Sequence, residues 1–204
     1  MEKNVTLSVC ILAKNEETNI SRAIMSIKHI ANEIIVLDTG STDKTKDIAK
    51  ELGALIHDFK WDNHFGNARN HLIGLAKMDW VLMIDCDESF NYKDTFRILD
   101  IIKKGDYDAF IFPRINMGLD QYLADYPDIQ FRLFRNHMGF NIQGALDESL
   151  VFDLHSRGLK ARMTDIHINH YYPTKFCQKY KDKMYVRDSL LKLTGGKKGY
   201  PNEQ

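Results

Sequence analysis

Continuous apolar segments alternate with segments of helical periodicity through the first half of the chain. The β-rich apolar runs predict strands at residues 6–12, 33–38, 54–57 and 81–84. Between them, apolar side chains recur every three or four positions and predict helices at residues 18–29, 45–52 and 65–76. Gly53 directly follows the second of these helices, where a glycine can end it.

Apolar strands that alternate with amphipathic helices are typical of a parallel sheet covered by helices on both faces. In such sheets, ligands bind at the carboxyl ends of the strands. Two polar clusters follow predicted strands here, at residues 38–43 and 85–88. We therefore expect a ligand site at the edge where these two strands end.

The second half of the chain has a different pattern. Strands are predicted at residues 107–113, 129–135 and 150–154 with little helix between them, which indicates an α+β portion. A helix is predicted at residues 174–193, and residues 175–198 carry eight basic side chains against two acidic ones. This helix can pack its apolar stripe against the protein, or it can lie on anionic lipid. A flexible tail is expected after it.

The composition excludes several classes of protein. The chain has 204 residues, which suits a single domain. Its 28 basic residues equal its 28 acidic residues, which disfavours a general nucleic-acid-binding protein. No apolar run approaches the roughly 20 residues of a membrane-spanning helix, and the N-terminus lacks the apolar core of a secretory signal, so we expect a cytoplasmic location. The three cysteines fit neither a disulfide framework nor a zinc motif.

Asp85 and Asp87 form a D-x-D pair at the end of a predicted strand. Residues two apart on a strand point to the same side, so both carboxylates are expected to face one point while Cys86 turns away. Carboxylates together with diphosphate oxygens suit Mg²⁺ or Mn²⁺, which would neutralise charge on a leaving phosphate. By itself, the pattern also fits a strand end with solvated acidic residues.

Three other polar features allow both a binding and a structural interpretation. Asp38 can accept hydrogen bonds from a nucleobase or ribose, and residues 39–43 beside it can cap a helix. Residues 15–17 (Asn-Glu-Glu) can contact a nucleoside, or they can favour a helix N-terminus. His170 alternates with isoleucines, which places it on the apolar side of a strand as a metal ligand or as a buried structural histidine.

Four segments, taken in order, resemble glycosyltransferase family 2, whose members have the GT-A fold. They are VCILAKNEE (9–17), EIIVLDTGSTDKT (33–45), FGNARN (65–70) and WVLMIDCDE (80–88). A looser similarity at GALDE (144–148) and INHYY (168–172) is closest to the branch that includes lipopolysaccharide-core glucosyltransferases and peptide S-glycosyltransferases. Asp147 stands where a histidine is common in that branch.

The resemblance assigns roles to individual residues. Donor binding is assigned to Ala13, Asn15, Glu17, Asp38, Arg69, Asp85, Cys86 and Asp87, with Glu17 and Asp38 on the nucleoside. A Mn²⁺ or Mg²⁺ ion would be bound by Asp87, Asp85 and His170, with His167 as the alternative to His170. Arg69 would hold the acidic cluster in place or approach the diphosphate. Separately from the resemblance, Trp61, Trp80 and the phenylalanines are expected to belong to the core, and Trp61 is the one among them that could instead lie near the donor.

The same resemblance implies a Rossmann-like, mostly parallel sheet with helices on both faces, and a single GT-A domain over residues 1–204. Residues 1–105 would bind the sugar nucleotide, residues 106–172 would form the smaller α+β acceptor side, and residues 173–204 would hold the basic helix and tail. The basic helix at 174–193 would place the protein peripherally at the inner membrane face when the acceptor is lipid-linked.

The implied activity is that of an inverting, metal-dependent glycosyltransferase. It would move a sugar from a nucleoside-diphosphate donor, expected to be UDP-linked, to a cell-envelope glycan such as lipopolysaccharide, a lipid-linked saccharide or a peptide. Glu148 is the first candidate for the catalytic base that takes the acceptor proton, and Asp147 is the second.

Two other functions compete with this one. A sugar nucleotidyltransferase would need a Gly-rich basic phosphate loop near the N-terminus, but residues 14–17 are Lys-Asn-Glu-Glu. A catalytically degenerate GT-A scaffold would bind a sugar nucleotide or a partner without transfer. The aspartate at position 147 favours the scaffold, whereas the intact D-x-D pair and Glu148 favour the enzyme.

Overall fold

Four parallel strands form the first part of the sheet in the computed structural model, which describes residues 4–117, 128–143, 154 and 156–171. In spatial order they are β3 (Leu55–Asp58), β2 (Glu33–Asp38), β1 (Leu7–Ala13) and β4 (Trp80–Asp85). They are connected by α1 (Ile20–Ile27), α2 (Thr45–Glu51) and α3 (Phe65–Leu75). The register pairs Ala13 with Asp38 and Leu12 with Asp85, so the carboxyl ends of three strands meet at one edge.

The second part of the chain extends this sheet beyond β4. It contributes β5 (Glu88–Phe90), α4 (Tyr92–Lys104), β6 (Ala109–Met117), β7 (Asp128–Arg135), β8 (Ala161–Met163) and β9 (Ile168–Tyr171). β7 pairs antiparallel with β4, and the order continues through β6 and β9 to β5, with β8 paired to β6. The β5–β9 pairing sets His170 opposite Glu88. Strands of both predicted halves therefore belong to one sheet.

Alternate side chains of β1 enter two hydrophobic cores, one on each face of the sheet. Val9 and Ile11 pack with α1 and α4 in one core, which also takes Ala49 of α2. Cys10 packs with Ala68 and Leu72 of α3 in the other core. The strand is apolar at nearly every position because both of its faces are covered.

The predicted α/β fold is confirmed, and β1 to β4 each agree with their predicted limits within one residue at either end. The first helix is shorter than predicted. The backbone N–H groups of Asn19 and Ile20 both bond the carbonyl of Glu16, which forms a turn where the prediction began the helix. The later strands β6 and β7 are also present, and β6 runs on to Met117.

The prediction missed α4, which lies between the two parts of the sheet. Its buried face consists of Thr95, Ile98 and Ile102, at helical spacing. The side chain of Asn91 caps it by accepting a hydrogen bond from the Lys93 N–H, and Gly105 ends it at φ +74°. These signals are readable in the sequence, so α4 was predictable. The three-residue β5 carries no comparable pattern.

Some expectations lie outside the described residues. They include the helix at 174–193, Cys177 and most of the strand predicted at 150–154. Leu154, the last residue of that predicted strand, has helical backbone conformation instead. Within the described ranges, no helix combines the length and apolar character needed to cross a membrane.

Candidate active site

A cleft of about 520 Å³ opens at the edge where β1, β2 and β4 end. Its walls come from these strand ends, from the β3–α3 connection, from α3 and from β9. The lining residues are Leu12, Ala13, Lys14, Glu16, Thr39, Trp61, Phe65, Arg69, Asp85, Cys86, Asp87 and His170. The predicted position of the ligand site therefore coincides with a cleft.

The D-x-D pair lines this cleft, but its two carboxylates have different partners. β4 ends at Asp85, and Asp87 lies in the turn that leads to β5. The two-residue alternation of a strand does not extend across that turn, so alternation is not the reason that both residues line the same cleft. Cys86 between them turns toward β1, where its thiol donates to the carbonyl of Leu12 at 3.3 Å.

Arginines from distant strands surround the buried side of the acidic turn. The Arg132 guanidinium of β7 donates to Asp85 and, at 2.8 Å, to Glu88. Arg114 of β6 reaches Glu88 at 3.2 Å. Arg132 is 4% exposed and Glu88 is fully buried. Although burial disfavours the charged guanidinium, Asp85 and Glu88 raise the pKa of Arg132 further above its usual range, so it stays charged.

Asp85 is held on both of its oxygens. Oδ1 accepts from Arg69 at 2.9 Å and Oδ2 accepts from Arg132. Burial works to raise the pKa of the Asp85 carboxyl, but Arg132 and Arg69 together hold it well below its usual range. Of the two roles expected for Arg69, holding the acidic cluster is the one its contacts support.

Asp87 lies beside the histidine expected to be its partner in metal binding. His170 Nε2 is 3.2 Å from Asp87 Oδ2, and His170 Nδ1 is 2.9 Å from the side-chain oxygen of Asn116. The backbone adds a second link, because the N–H of Tyr171 donates to the carbonyl of Asp87 at 2.8 Å. His170 is buried, whereas the alternative ligand, His167, is exposed.

Asp38 ends β2 directly before the lining residue Thr39; it is fully buried and is not itself among the residues that line the cleft. Its Oδ1 accepts from the backbone N–H groups of Gly40 and Ser41, at 2.9 and 2.8 Å. Its Oδ2 is buried and has no hydrogen-bond partner in the described part of the chain. A buried carboxylate oxygen is costly to leave unsatisfied, so this atom is a candidate acceptor for a ligand N–H or O–H.

In the Asn-Glu-Glu segment, the residue that lines the cleft is Glu16 rather than the predicted Glu17. Glu17 is exposed, and its carboxylate accepts from the backbone N–H of Lys44 at 3.1 Å. Asn15 adopts φ +54° and accepts from the N–H of Thr42. Burial is the largest cause that raises the pKa of the Glu16 carboxyl. The hydrogen bond from Asn19 lowers this pKa, and the nearby negative charges of Asp87, Asp43 and Asp85 raise it further.

Asp43 ties the same loop to the start of α2. It accepts hydrogen bonds from the backbone N–H groups of Thr45 and Glu17, at 3.0 and 3.1 Å. Partial burial works to raise its pKa, but the hydrogen bonds from Thr45 and Glu17 hold the pKa of Asp43 below its usual range.

We expect Asp43→Ala to destabilise the protein near pH 7 and to do so less as the pH falls below about 4. A carboxylate with a lowered pKa stabilises the fold above its unfolded pKa, and this contribution is lost as the pH drops through the folded value. Urea unfolding at pH 7 and pH 3 measures the difference. Asp47→Ala, at an exposed position of the same helix, is the control, and a loss for Asp43→Ala that does not change with pH contradicts the prediction.

Asn70, which follows Arg69 on α3, was missed as a functional candidate. Its side-chain oxygen accepts from the N–H of Ile142 at 2.8 Å, and its Nδ2 donates to the carbonyl of Ile142 at 2.9 Å. Neighbouring residues of α3 thus anchor the acidic turn and the segment that leads to residues 144–148. The catalytic candidates Asp147 and Glu148 themselves lie outside the described residues.

Arg114, Asn116 and Arg132 were also missed. They lie on β6 and β7. Arg114 is 26 positions away in sequence from its partner Glu88, and Arg132 is 47 positions away from its partner Asp85. Arg114 and Asn116 are two apart on β6, at positions paired with residues 168 and 170 of β9. No local motif marks them, and only the strand pairing brings them to the site.

The sequence of the chain is similar to that of known glycosyltransferases. The profile described as Glycosyl transferase family 2 matches residues 8–161. A TPR repeat-containing protein of Synechococcus elongatus is 42% identical over 137 residues, covering 67% of this chain and 33% of that protein. An uncharacterized glycosyltransferase of Rickettsia conorii is 36% identical over 119 residues, 57% of this chain and 42% of that protein. Glycosyltransferase SunS of Bacillus subtilis is 30% identical over 149 residues, 70% of this chain and 34% of that protein. The chain therefore spans less than half the length of these relatives.

Solved structures share the fold at lower identity. Staphylococcus aureus TarS 1–349 in complex with UDP-GlcNAc superposes with a TM-score of 0.65 at 17% identity, over 82% of this chain and 59% of that one. Mycobacterium tuberculosis glucosyl-3-phosphoglycerate synthase with Mn²⁺, UDP-glucose and phosphoglyceric acid gives a TM-score of 0.62 at 20% identity, over 83% and 71%. The fold is that of the GT-A glycosyltransferases. With the family profile matching most of its length, the chain belongs to glycosyltransferase family 2.

Proposed function

We propose that the protein transfers a sugar from a UDP-linked donor with the help of a divalent metal ion. The observation that carries this proposal is the Asp87–His170 pair, whose side-chain atoms lie 3.2 Å apart in the cleft. Two structural neighbours support the choice of donor, since they are complexes with UDP-GlcNAc and UDP-glucose. One of these complexes also contains Mn²⁺.

The donor set fits Mn²⁺ or Mg²⁺. When Nδ1 of His170 carries the proton and donates it to Asn116, Nε2 presents a lone pair to Asp87 Oδ2. Two such acceptors at this distance repel each other unless a cation lies beside them. Their separation is close to that of adjacent ligands around one octahedral ion, roughly 3 Å for metal–ligand bonds of about 2.1 Å.

Asp85 has a different role in this proposal. Both of its oxygens are engaged by arginines, so it is better suited to orient Arg69 than to serve as a free metal ligand. Within the described ranges no three His, Cys, Asp or Glu side chains converge as a metal site, so Asp87 and His170 would be completed by phosphate oxygens and water. When bound, the metal would stabilise the charge on the departing diphosphate.

Asp38 is proposed to bind the nucleoside. Its unpartnered Oδ2 would accept an N–H of the base or a ribose hydroxyl, beside Ala13 and Thr39 of the cleft wall. The free energy lost by leaving this buried acceptor unsatisfied would be recovered when the nucleotide binds. Asp38 and Asp87 would thus bind opposite ends of the UDP moiety.

Inversion at the anomeric carbon requires the acceptor to attack from the face opposite the nucleotide. We propose Glu148 as the base that takes the acceptor proton, with Asp147 as the alternative. The acceptor is proposed to be a cell-envelope glycan, a lipid-linked saccharide or a peptide, as in the branch that this sequence resembles. Contact of residues 174–193 with anionic lipid would serve a lipid-linked acceptor.

Titration calorimetry with UDP, with and without Mn²⁺, tests the donor site. We expect Mn²⁺ to tighten UDP binding at least about tenfold, an effect of roughly 1.4 kcal/mol, and Asp87→Asn to abolish that gain. Asp100→Asn, an exposed charge removal on α4, is the control. Metal-independent UDP binding that Asp87→Asn leaves unchanged would overturn the metal assignment. Preference for GDP, CMP or dTDP would overturn the uridine assignment.

A further inference from the structure

An aromatic corner forms one wall of the cleft. Trp61 and Phe65 both line it, with their rings edge to face and centroids 4.8 Å apart. The indole N–H donates to the side-chain oxygen of Asn63 at 3.1 Å, which restrains the orientation of the ring. Trp61 is half-buried, and its inner side packs against the hydrophobic core on the α3 face. The indole is therefore preorganised, with part of its surface in a cleft that charged side chains such as Arg69 and Asp87 also line.

The strand order places this corner at one end of the cleft. Trp61 follows β3, and the backbone N–H of Phe59 beside it bonds the carbonyl of Asp38 at 2.8 Å. Asp87 follows β4, and the spatial order is β3-β2-β1-β4. Three strand spacings of about 4.8 Å separate the two ends, or roughly 14 Å.

This separation decides which part of a sugar nucleotide meets the indole. With the diphosphate beside Asp87 and His170, the nucleoside extends toward β2 and β3, and the sugar extends away from the nucleoside. The aromatic corner lies toward that side: it follows Phe59, whose N–H bonds the carbonyl of Asp38, and it lines the cleft together with Thr39.

We propose that Trp61 is the stacking surface for the nucleobase of the donor, with Phe65 holding the indole in position. This inference rests on the nucleotide-sugar function proposed above and adds the residue that binds the face of the base. Stacking on an aromatic face tolerates every base, so Trp61 would provide affinity while Asp38 would select among bases by hydrogen bonding. An indole fixed by Asn63 and Phe65 loses little rotamer freedom when the base binds.

Fluorescence offers a test that needs no loss of structure. The chain has two tryptophans, and Trp80 is 1% exposed at the opposite end of β4. In a Trp80→Phe protein the remaining signal comes from Trp61, and we expect UDP to quench it in the presence of Mn²⁺. Trp61→Ala should weaken UDP binding by about 5- to 150-fold, and Trp61→Phe should restore most of the affinity. Binding of Mn²⁺-pyrophosphate, which has no base, should be unchanged in both variants.

The outcomes separate this inference from the proposed function. Unchanged UDP affinity in Trp61→Ala, or the absence of quenching while calorimetry detects UDP binding, overturns stacking and leaves the donor site intact. Weaker binding of UDP-glucose with unchanged UDP affinity overturns it in favour of a sugar platform. Failure of the wild-type protein to bind any nucleoside diphosphate overturns both proposals. If Trp61→Ala fails to fold, the quenching and Trp61→Phe measurements still decide the matter.

Discussion

Arg132→Met is expected to lower the free energy of unfolding by about 3 kcal/mol, near the lower end of the range for breaking a buried ion pair. The guanidinium is 4% exposed and serves two carboxylates, one of which, that of Glu88, is fully buried. Methionine fills much of the volume but leaves these charges with fewer partners. Arg69 and Arg114 still reach the two carboxylates, which is why we expect the lower end of the range.

Guanidinium chloride unfolding measures this loss, and thermal unfolding should show a midpoint lower by roughly 6 to 12 °C for a chain of this size. Arg135→Met, on the same strand, is the matched control. Arg135 is partly exposed and pairs with Asp108 at 3.5 Å, so its loss should cost roughly 1 kcal/mol or less. Arg132→Lys keeps the charge without the planar fork and should fall between the two. Equal stability of the two methionine variants would contradict the buried-network interpretation.

The same arginine shows why part of the site escaped prediction. Asp38 and Asp85 end apolar strands, and the period and composition of those strands could be read directly. Arg132 sits within β7 with an ordinary strand sequence around it, and its role depends on β7 pairing with β4. Such a pairing is antiparallel and non-local, and no sequence spacing encodes it.

His170 was only partly predictable from the sequence. The alternation of Ile166, Ile168 and His170 correctly predicted a buried side chain on a strand. Its neighbour Asp87 is 83 positions away and could be assigned only through the family resemblance. Asn116, which fixes the other ring nitrogen, sits at the β6 position paired with His170 and could not be assigned before that pairing was known.

The motif also does not predict which of Glu16 and Glu17 lines the cleft. Both follow β1, and only the turn decides which one faces the cleft. The carbonyl of Glu16 accepts from Asn19 and Ile20, and the N–H of Glu16 donates to Thr45 Oγ1 at 2.7 Å. These contacts direct Glu16 toward the acidic turn and leave Glu17 at the loop surface. A one-residue difference of this kind depends on backbone geometry that the motif does not contain.

Glu148→Gln is expected to reduce sugar transfer by about 10²- to 10⁴-fold while UDP affinity stays within about twofold, since a general base contributes to the chemical step and not to donor binding. The chain segment that leads to Glu148 is anchored to α3. Ile142 is tied to Asn70 by two hydrogen bonds, and the adjacent Arg69 contacts Asp85 in the cleft. Glu148 is six positions beyond Ile142, so at most roughly 20 Å of chain lies between them.

The measurement is UDP release from UDP-glucose with water as the acceptor, combined with UDP calorimetry on the same preparations. Asp147→Asn is the matched control, because it makes an equivalent charge change one residue away. Loss of turnover in Asp147→Asn alone would transfer the role of base to Asp147. Full turnover in both variants would place the base elsewhere in the chain. A wild-type protein that binds UDP with Mn²⁺ but turns over no UDP-sugar, even with acceptors of all three proposed classes, would instead favour the degenerate scaffold, since the donor site would then be intact without a base to use it.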